Sequence, residues 1–113
     1  MIRVPRGKRV WVCCRPVDLR KGFGGLAALV QGELGGDLVS GDLFVFVSRS
    51  RQLVKVLHWD GKGLGLYARR PARGRYAAPW KRRDGGSVRF SRRELHALLG
   101  GVDETTRRTM RNR

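Results

Sequence analysis

Acidic side chains are scarce in this chain: 9 Asp and Glu stand against 25 Lys and Arg, a formal net charge of +16 on 113 residues. So small a body repels itself at low salt unless a polyanion supplies the counter-charge, which makes nucleic acid the expected partner class and an anionic membrane surface the second. Long hydrophobic runs are missing as well. No stretch reaches the roughly 18 apolar residues that a membrane helix needs. Cysteine is confined to the adjacent pair Cys13 and Cys14, which excludes a spaced disulfide framework and a CxxC zinc knuckle and reads as two small residues ending a strand. The basic start, Met1 to Lys8, leads into no apolar signal core, so a reducing cytoplasm is the expected location.

Chemical motifs are equally sparse. There is no GxxxxGK[ST] loop, no HxH or HExxH, and the glycines at 22, 24 and 25 lack the GxGxxG order. His58 and His96 stand alone. Two-metal nucleotidyl transfer needs several converging carboxylates, yet Asp18 and Glu94 read as helix caps or first-turn charges and Asp60 as a turn residue. No cofactor and no metal are expected, and the chain does not read as an enzyme. A small nuclease built on Asp18, Asp42 and Asp60 is the weakest of three functional readings.

What is present suits one α+β domain over 1–102, an antiparallel β-meander with a helix near each end of the chain, followed by a basic, disordered tail over 103–113. Forty-one per cent apolar residues with 3 Trp, 4 Phe and 2 Tyr can supply a modest core and argue against simple disorder. Lys8 to Cys14 predicts a strand. Asp18 is the expected N-cap of a helix in which Leu19, Phe23, Leu26, Val30 and Leu34 share one face and Gly35-Gly36 is the stop. Glycines inside that helix cost about 1 kcal/mol each, which points to close packing or a late helix start. Leu43 to Val47 is apolar on both faces, as in a doubly covered strand. Leu53 to Trp59 and Leu64 to Arg69 complete the meander around the turn signal Asp60-Gly61. Ser91-Arg92-Arg93-Glu94 reads as a capping box opening a helix through Leu95, Leu98 and Leu99.

The strongest functional signal lies between Arg69 and Arg93, where ten basic residues and a single acid, Asp84, are interleaved with Tyr76, Trp80 and Phe90. Phosphates need spread cations, and unpaired bases need flat rings. Arg69, Arg70, Arg73, Arg75, Lys81, Arg82 and Arg83, flanking Tyr76 and Trp80, are the candidate nucleic-acid contacts, and the two rings equally suit a core. Arg49 and Arg51 at a hairpin tip form a second candidate. Arg3, Arg6, Lys8 and Arg9, and the terminal Arg107, Arg108, Arg111 and Arg113, are less specific basic arms.

Several stretches together carry a resemblance to a known family. They are Val10-Trp11; Asp18-Leu19-Arg20-Lys21-Gly22-Phe23; Ser40-Gly41-Asp42-Leu43-Phe44-Val45-Phe46; Val54 to Leu64 with its Trp59-Asp60-Gly61 hairpin; Arg73-Gly74-Arg75-Tyr76; and Pro79-Trp80. On these the chain resembles the TnpB accessory proteins of bacterial transposons of the insertion sequence 66 family, which are distinct from the RNA-guided nucleases sharing that name. The likeness runs from Met1 to about Asp103. It departs at Gly24, where the family usually has an acidic or amide residue, and at Gly65, often Cys. The resemblance implies a protein encoded beside a DDE-type transposase that assists transposition by an undefined act, and a nucleoid-associated location. The first reading is a non-catalytic factor that binds DNA through the Arg-rich segment and helps to assemble the transposase complex. The second is an adaptor that docks on the transposase, or on the element's other accessory protein, through Lys21 and Phe23 or through Trp59 and Asp60.

Overall fold

The computed structural model describes residues 2–100; the tail expected over 103–113 lies outside them. Five strands and two helices follow in the order β1 (Val10–Cys13), α1 (Phe23–Gln31), β2 (Leu43–Val47), β3 (Val54–Trp59), β4 (Leu64–Arg69), β5 (Ser87–Phe90) and α2 (Arg92–Leu99). The α+β class and the β2-β3-β4 meander are as expected, but the sheet is mixed. Its order is β4-β3-β2-β1-β5, with β1 parallel to β2 and β5 antiparallel to β1. The physical reason is the connection between β1 and β2. It contains α1 and is long enough to carry the chain back to the same end of the sheet, which parallel pairing requires and a hairpin cannot provide.

Strand alternation sends side chains to two faces, and both are covered. Val10, Val12, Leu43, Val45, Val47, Val54 and Val56 pack with Tyr76, Phe90 and the α2 residues Leu95, Leu98 and Leu99. On the opposite face Phe44, Phe46 and Leu57 pack with Leu26 and Val30 of α1 and with Val17 and Leu19 before it. Every residue of β2 is buried, as its unbroken apolar run requires at the centre of three layers. Cys13 and Cys14 are buried free thiols, and burial raises the pKa of each.

The helix boundaries separate what local chemistry dictates from what packing decides. At α2 the capping box is complete: Ser91 Oγ accepts from the Glu94 amide at 3.0 Å, and the Glu94 carboxylate accepts from the Ser91 amide at 2.7 Å. That backbone N–H is the main cause holding the Glu94 carboxyl below its usual pKa. Leu95, Leu98 and Leu99 face the core as their spacing predicts, and Gly100 is the C-cap.

At α1 the expectation shifts by about one turn. Asp18 is not the N-cap; its carboxylate turns onto the Arg20 amide and guanidinium, and the N-cap is Gly22. The helix stops at Gly32, short of Gly35-Gly36. Leu19 and Leu26 are buried but Phe23, on the first turn, is 49% exposed, so the five-residue face extends beyond the helix at both ends. Gly36 has another task. A Cβ there would stand 2.8 Å from the Phe44 ring, so the chain leaving α1 can lie on β2 only as glycine.

A Cβ added at Gly24, by contrast, meets nothing within 4 Å. Gly24→Ala is therefore expected to stabilise the domain by about 0.5–1 kcal/mol through the reduced entropy of the unfolded chain. Urea denaturation should show a higher midpoint with an unchanged slope; a lower midpoint would mean that this turn needs glycine for a reason other than space.

Candidate nucleic-acid interface

The long connection over residues 70–86 governs where the candidate cations go. It must travel from β4 at one edge of the sheet to β5 at the other, four strand spacings or roughly 19 Å. Its anchor is Tyr76, which is completely buried among the α2-side residues and whose amide donates to the Arg51 carbonyl at 2.8 Å. To aim that carbonyl, Arg51 takes a left-handed conformation (φ 60°), and among the described residues it is alone in this apart from glycines. The Tyr76 ring therefore has no free face, and the structure corrects its candidacy as a stacking platform. Burial pushes its phenol pKa up. Trp80 is half-buried against the same core, its indole Nε1 buried without a partner among the described residues.

At the head of the basic segment, strand alternation sends Arg69 and Arg70 to opposite sides of the sheet; the cations after them lie in the connection to β5. Arg69 turns inward with Tyr67 on the α2 side, donates to the Tyr67 hydroxyl at 3.4 Å and carries a buried Nε without a partner. The residue as a whole is partly exposed and lines a small depression with His96 and Leu99 on the α2 side, away from Arg70. Arg70 emerges on the opposite side. Arg82 lies over the Phe90 ring, 5.3 Å from its centroid, and 3.7 Å from the Glu94 carboxylate. Arg83 donates to the Ser87 carbonyl at 3.0 Å. Arg73, Arg75 and Lys81 are exposed.

Arg70 and Arg49, from the two predicted groups, both stand at the end of the sheet where β2 and β4 finish and β3 begins. Two open depressions of about 430 and 640 Å³ lie side by side, with Asp18, Leu19, Ser48 and Ser50 lining both, and make up a two-part groove. Arg49 lines one end and Arg70 the other, with Arg20 and Lys55 between them. The groove thus holds four cations against one carboxylate. Asp18 is bound to Arg20 at 2.7 Å, which keeps the Asp18 carboxyl well below the usual range. Lys55 Nζ donates to the Lys21 carbonyl at 3.2 Å, fixing its head at the rim. Arg20 and Lys55 are not in the candidate set read from sequence. Their only signal is local: Lys55 interrupts the apolar run of β3 on the α1 side, and Arg20 follows a carboxylate two residues earlier.

The proposed docking residues fall in two separate places. Lys21 and Phe23 are exposed near the start of β3, whereas Trp59 and Asp60 stand at its end. The Asp60 carboxylate accepts from the Lys62 and Gly63 amides, which lowers its pKa and closes a four-residue turn with Gly61 at φ 95°. Asp42 accepts from the Arg9 amide and the Trp11 indole, both at 3.0 Å. Asp18 and Asp60 are engaged within their own loops and Asp42 by β1 and the residue before it, and no group of three or more potential metal ligands gathers among the described residues. No described helix is long and apolar enough to cross a membrane.

The geometry is that of a small three-layer basic domain with a cationic groove at one end. A family model described as IS66 Orf2-like protein matches residues 8–109, and the chain belongs to that family. Membership gives it an accessory role associated with insertion-sequence transposition. Two proteins of Sinorhizobium fredii, both described as uncharacterized, are similar to it. One, y4hO, is 40% identical over 102 residues, covering 88% of this chain and 87% of its own; the other, y4jC, is 35% identical over 105 residues, covering 93% and 88%. No solved structure matches.

Proposed function

We propose that this chain is a non-catalytic accessory factor that grips DNA for the transposase of its element, with the phosphate backbone in the groove between Arg49 and Arg70. The observation that carries this reading is the concentration of four cations against one carboxylate in an open groove on a chain of net charge +16. The Ser48 and Ser50 hydroxyls are hydrogen-bonded to each other at 3.2 Å, which leaves one of their two protons to donate to a phosphate oxygen. The non-catalytic part is supported by the engagement of Asp18, Asp42 and Asp60 with separate sets of partners. The half-exposed Phe23 beside Lys21 favours a second reading, in which this corner docks on the transposase and DNA contact is incidental.

Fluorescence anisotropy against a transposon-end duplex and a scrambled duplex at several salt concentrations separates the two. DNA gripping predicts that log affinity falls with log salt at about 0.9 per phosphate contacted. Preference for the end sequence would make the protein an end-recognition factor, and equal binding would make it a general clamp. Negligible duplex binding at physiological salt, with capture of the purified transposase lost on Phe23→Ser, would establish the adaptor instead.

A further inference from the structure

A second site lies on the α1 side of the sheet. Helix α1 packs over β2 and β3, and over β1 and β5 there is a cleft of about 390 Å³, within the range of small-ligand pockets. Trp11 lies on its floor next to Phe44, and its indole is oriented by the 3.0 Å hydrogen bond to Asp42. Arg89 stands directly opposite Trp11 on β5, on the same face because cross-strand partners share one. Arg83 forms one wall and Arg9 another. Among the described residues none of these three arginines makes a salt bridge.

The placement of Arg83 depends on a glycine. A Cβ at Gly86 would stand 2.9 Å from the Arg83 guanidinium carbon, and Gly86 is itself at φ +65°. The guanidinium rests where a side chain at 86 would be, and donates to the Ser87 carbonyl. The cleft also contains two carboxylates, each accepting hydrogen bonds from within the fold: Asp42 from the Arg9 backbone amide and the Trp11 indole, and Asp37 from the Val39 amide at 3.1 Å. A mixed lining of this kind suits a neutral base that carries a phosphate more than it suits a bare polyanion.

We propose that this cleft seats one unpaired nucleotide of single-stranded DNA, with its base on Trp11 and its phosphate on Arg83. The DNA assignment rests on the reading above, whereas the geometry of the seat does not. A ring recessed between a loop and a strand is reachable by a splayed base and not by one stacked inside a duplex, and base–aromatic stacking tolerates any sequence. The end groove and the cleft then have different ligands: duplex backbone in one, a displaced strand in the other.

The test is ¹⁵N-HSQC of the full chain, whose three tryptophans give three indole signals, with that of Trp11 identified by Trp11→Phe. On addition of a short oligothymidylate the Trp11 indole signal should move, and with duplex it should not. Arg83→Ala should weaken oligothymidylate binding about fivefold to tenfold and leave duplex affinity unchanged. An unmoved Trp11 signal at saturating oligothymidylate would overturn the seat even if duplex binding through the groove holds. Equal loss of single-strand and duplex affinity in Arg83→Ala would do the same. Thymidine monophosphate binding as tightly as the oligomer, or a ribo-oligomer binding more tightly, would overturn the assignment to a DNA strand.

Discussion

Tyr76→Ala should destabilise the domain by about 3–5 kcal/mol, the cost of truncating a buried aromatic side chain. The ring is fully buried and pins the middle of the connection that spans the sheet, so its loss removes core volume and frees the segment carrying Arg73, Arg75 and Lys81. Against a total stability of about 5–15 kcal/mol, such a loss brings a small domain near its threshold. Tyr76→Phe should behave differently. The buried hydroxyl lies beside the Arg69 guanidinium without a hydrogen bond of good geometry among the described residues, so its deletion should cost no more than about 1 kcal/mol. Urea melts of both variants check the pair. A Tyr76→Ala protein that folds with wild-type stability yet loses DNA affinity would reverse the assignment and make the ring a binding surface.

Joint replacement of Arg49, Lys55 and Arg70 by Ala should cost duplex affinity on the order of 10²-fold at physiological salt, with the log–log salt slope reduced by about 2.7, if each contacts one phosphate. Arg20 is left in place because removing it would leave Asp18 unpaired in the groove. The control is Arg6, Lys62 and Arg93 replaced together, which removes the same charge from exposed positions elsewhere. Local contacts predict a large difference between the two triple variants. Equal losses would mean that affinity follows net charge alone and that the groove is no site. Circular dichroism and melts on both proteins separate lost binding from lost fold, and none of the six side chains is a core residue.

Much of the fold was legible because its signals are local. The capping box at Ser91 needs only four consecutive residues, so its prediction holds atom for atom. The apolar run of β2 marks the doubly covered central strand, and Asp60-Gly61 marks a turn whose chemistry is complete within four residues. The start of α1 was misread because Asp18 has a competing local partner in Arg20. Periodicity could not detect that exchange, since Leu19 is buried whether or not it is helical.

Composition and short-range pattern suffice for the charge balance, the membrane-helix exclusion, the α+β class and the family likeness. Long-range pairing was needed to see that β1 lies parallel to β2, that Arg69 and Arg70 part to opposite faces, and that Arg49 lies at the same end of the sheet as Arg20, Lys55 and Arg70. The folded structure alone showed Arg83 resting on Gly86 beside Trp11. The reason is physical: a charge cluster in sequence becomes a site only where side chains share a face, and faces are set by strand alternation and by pairing between strands far apart in the chain.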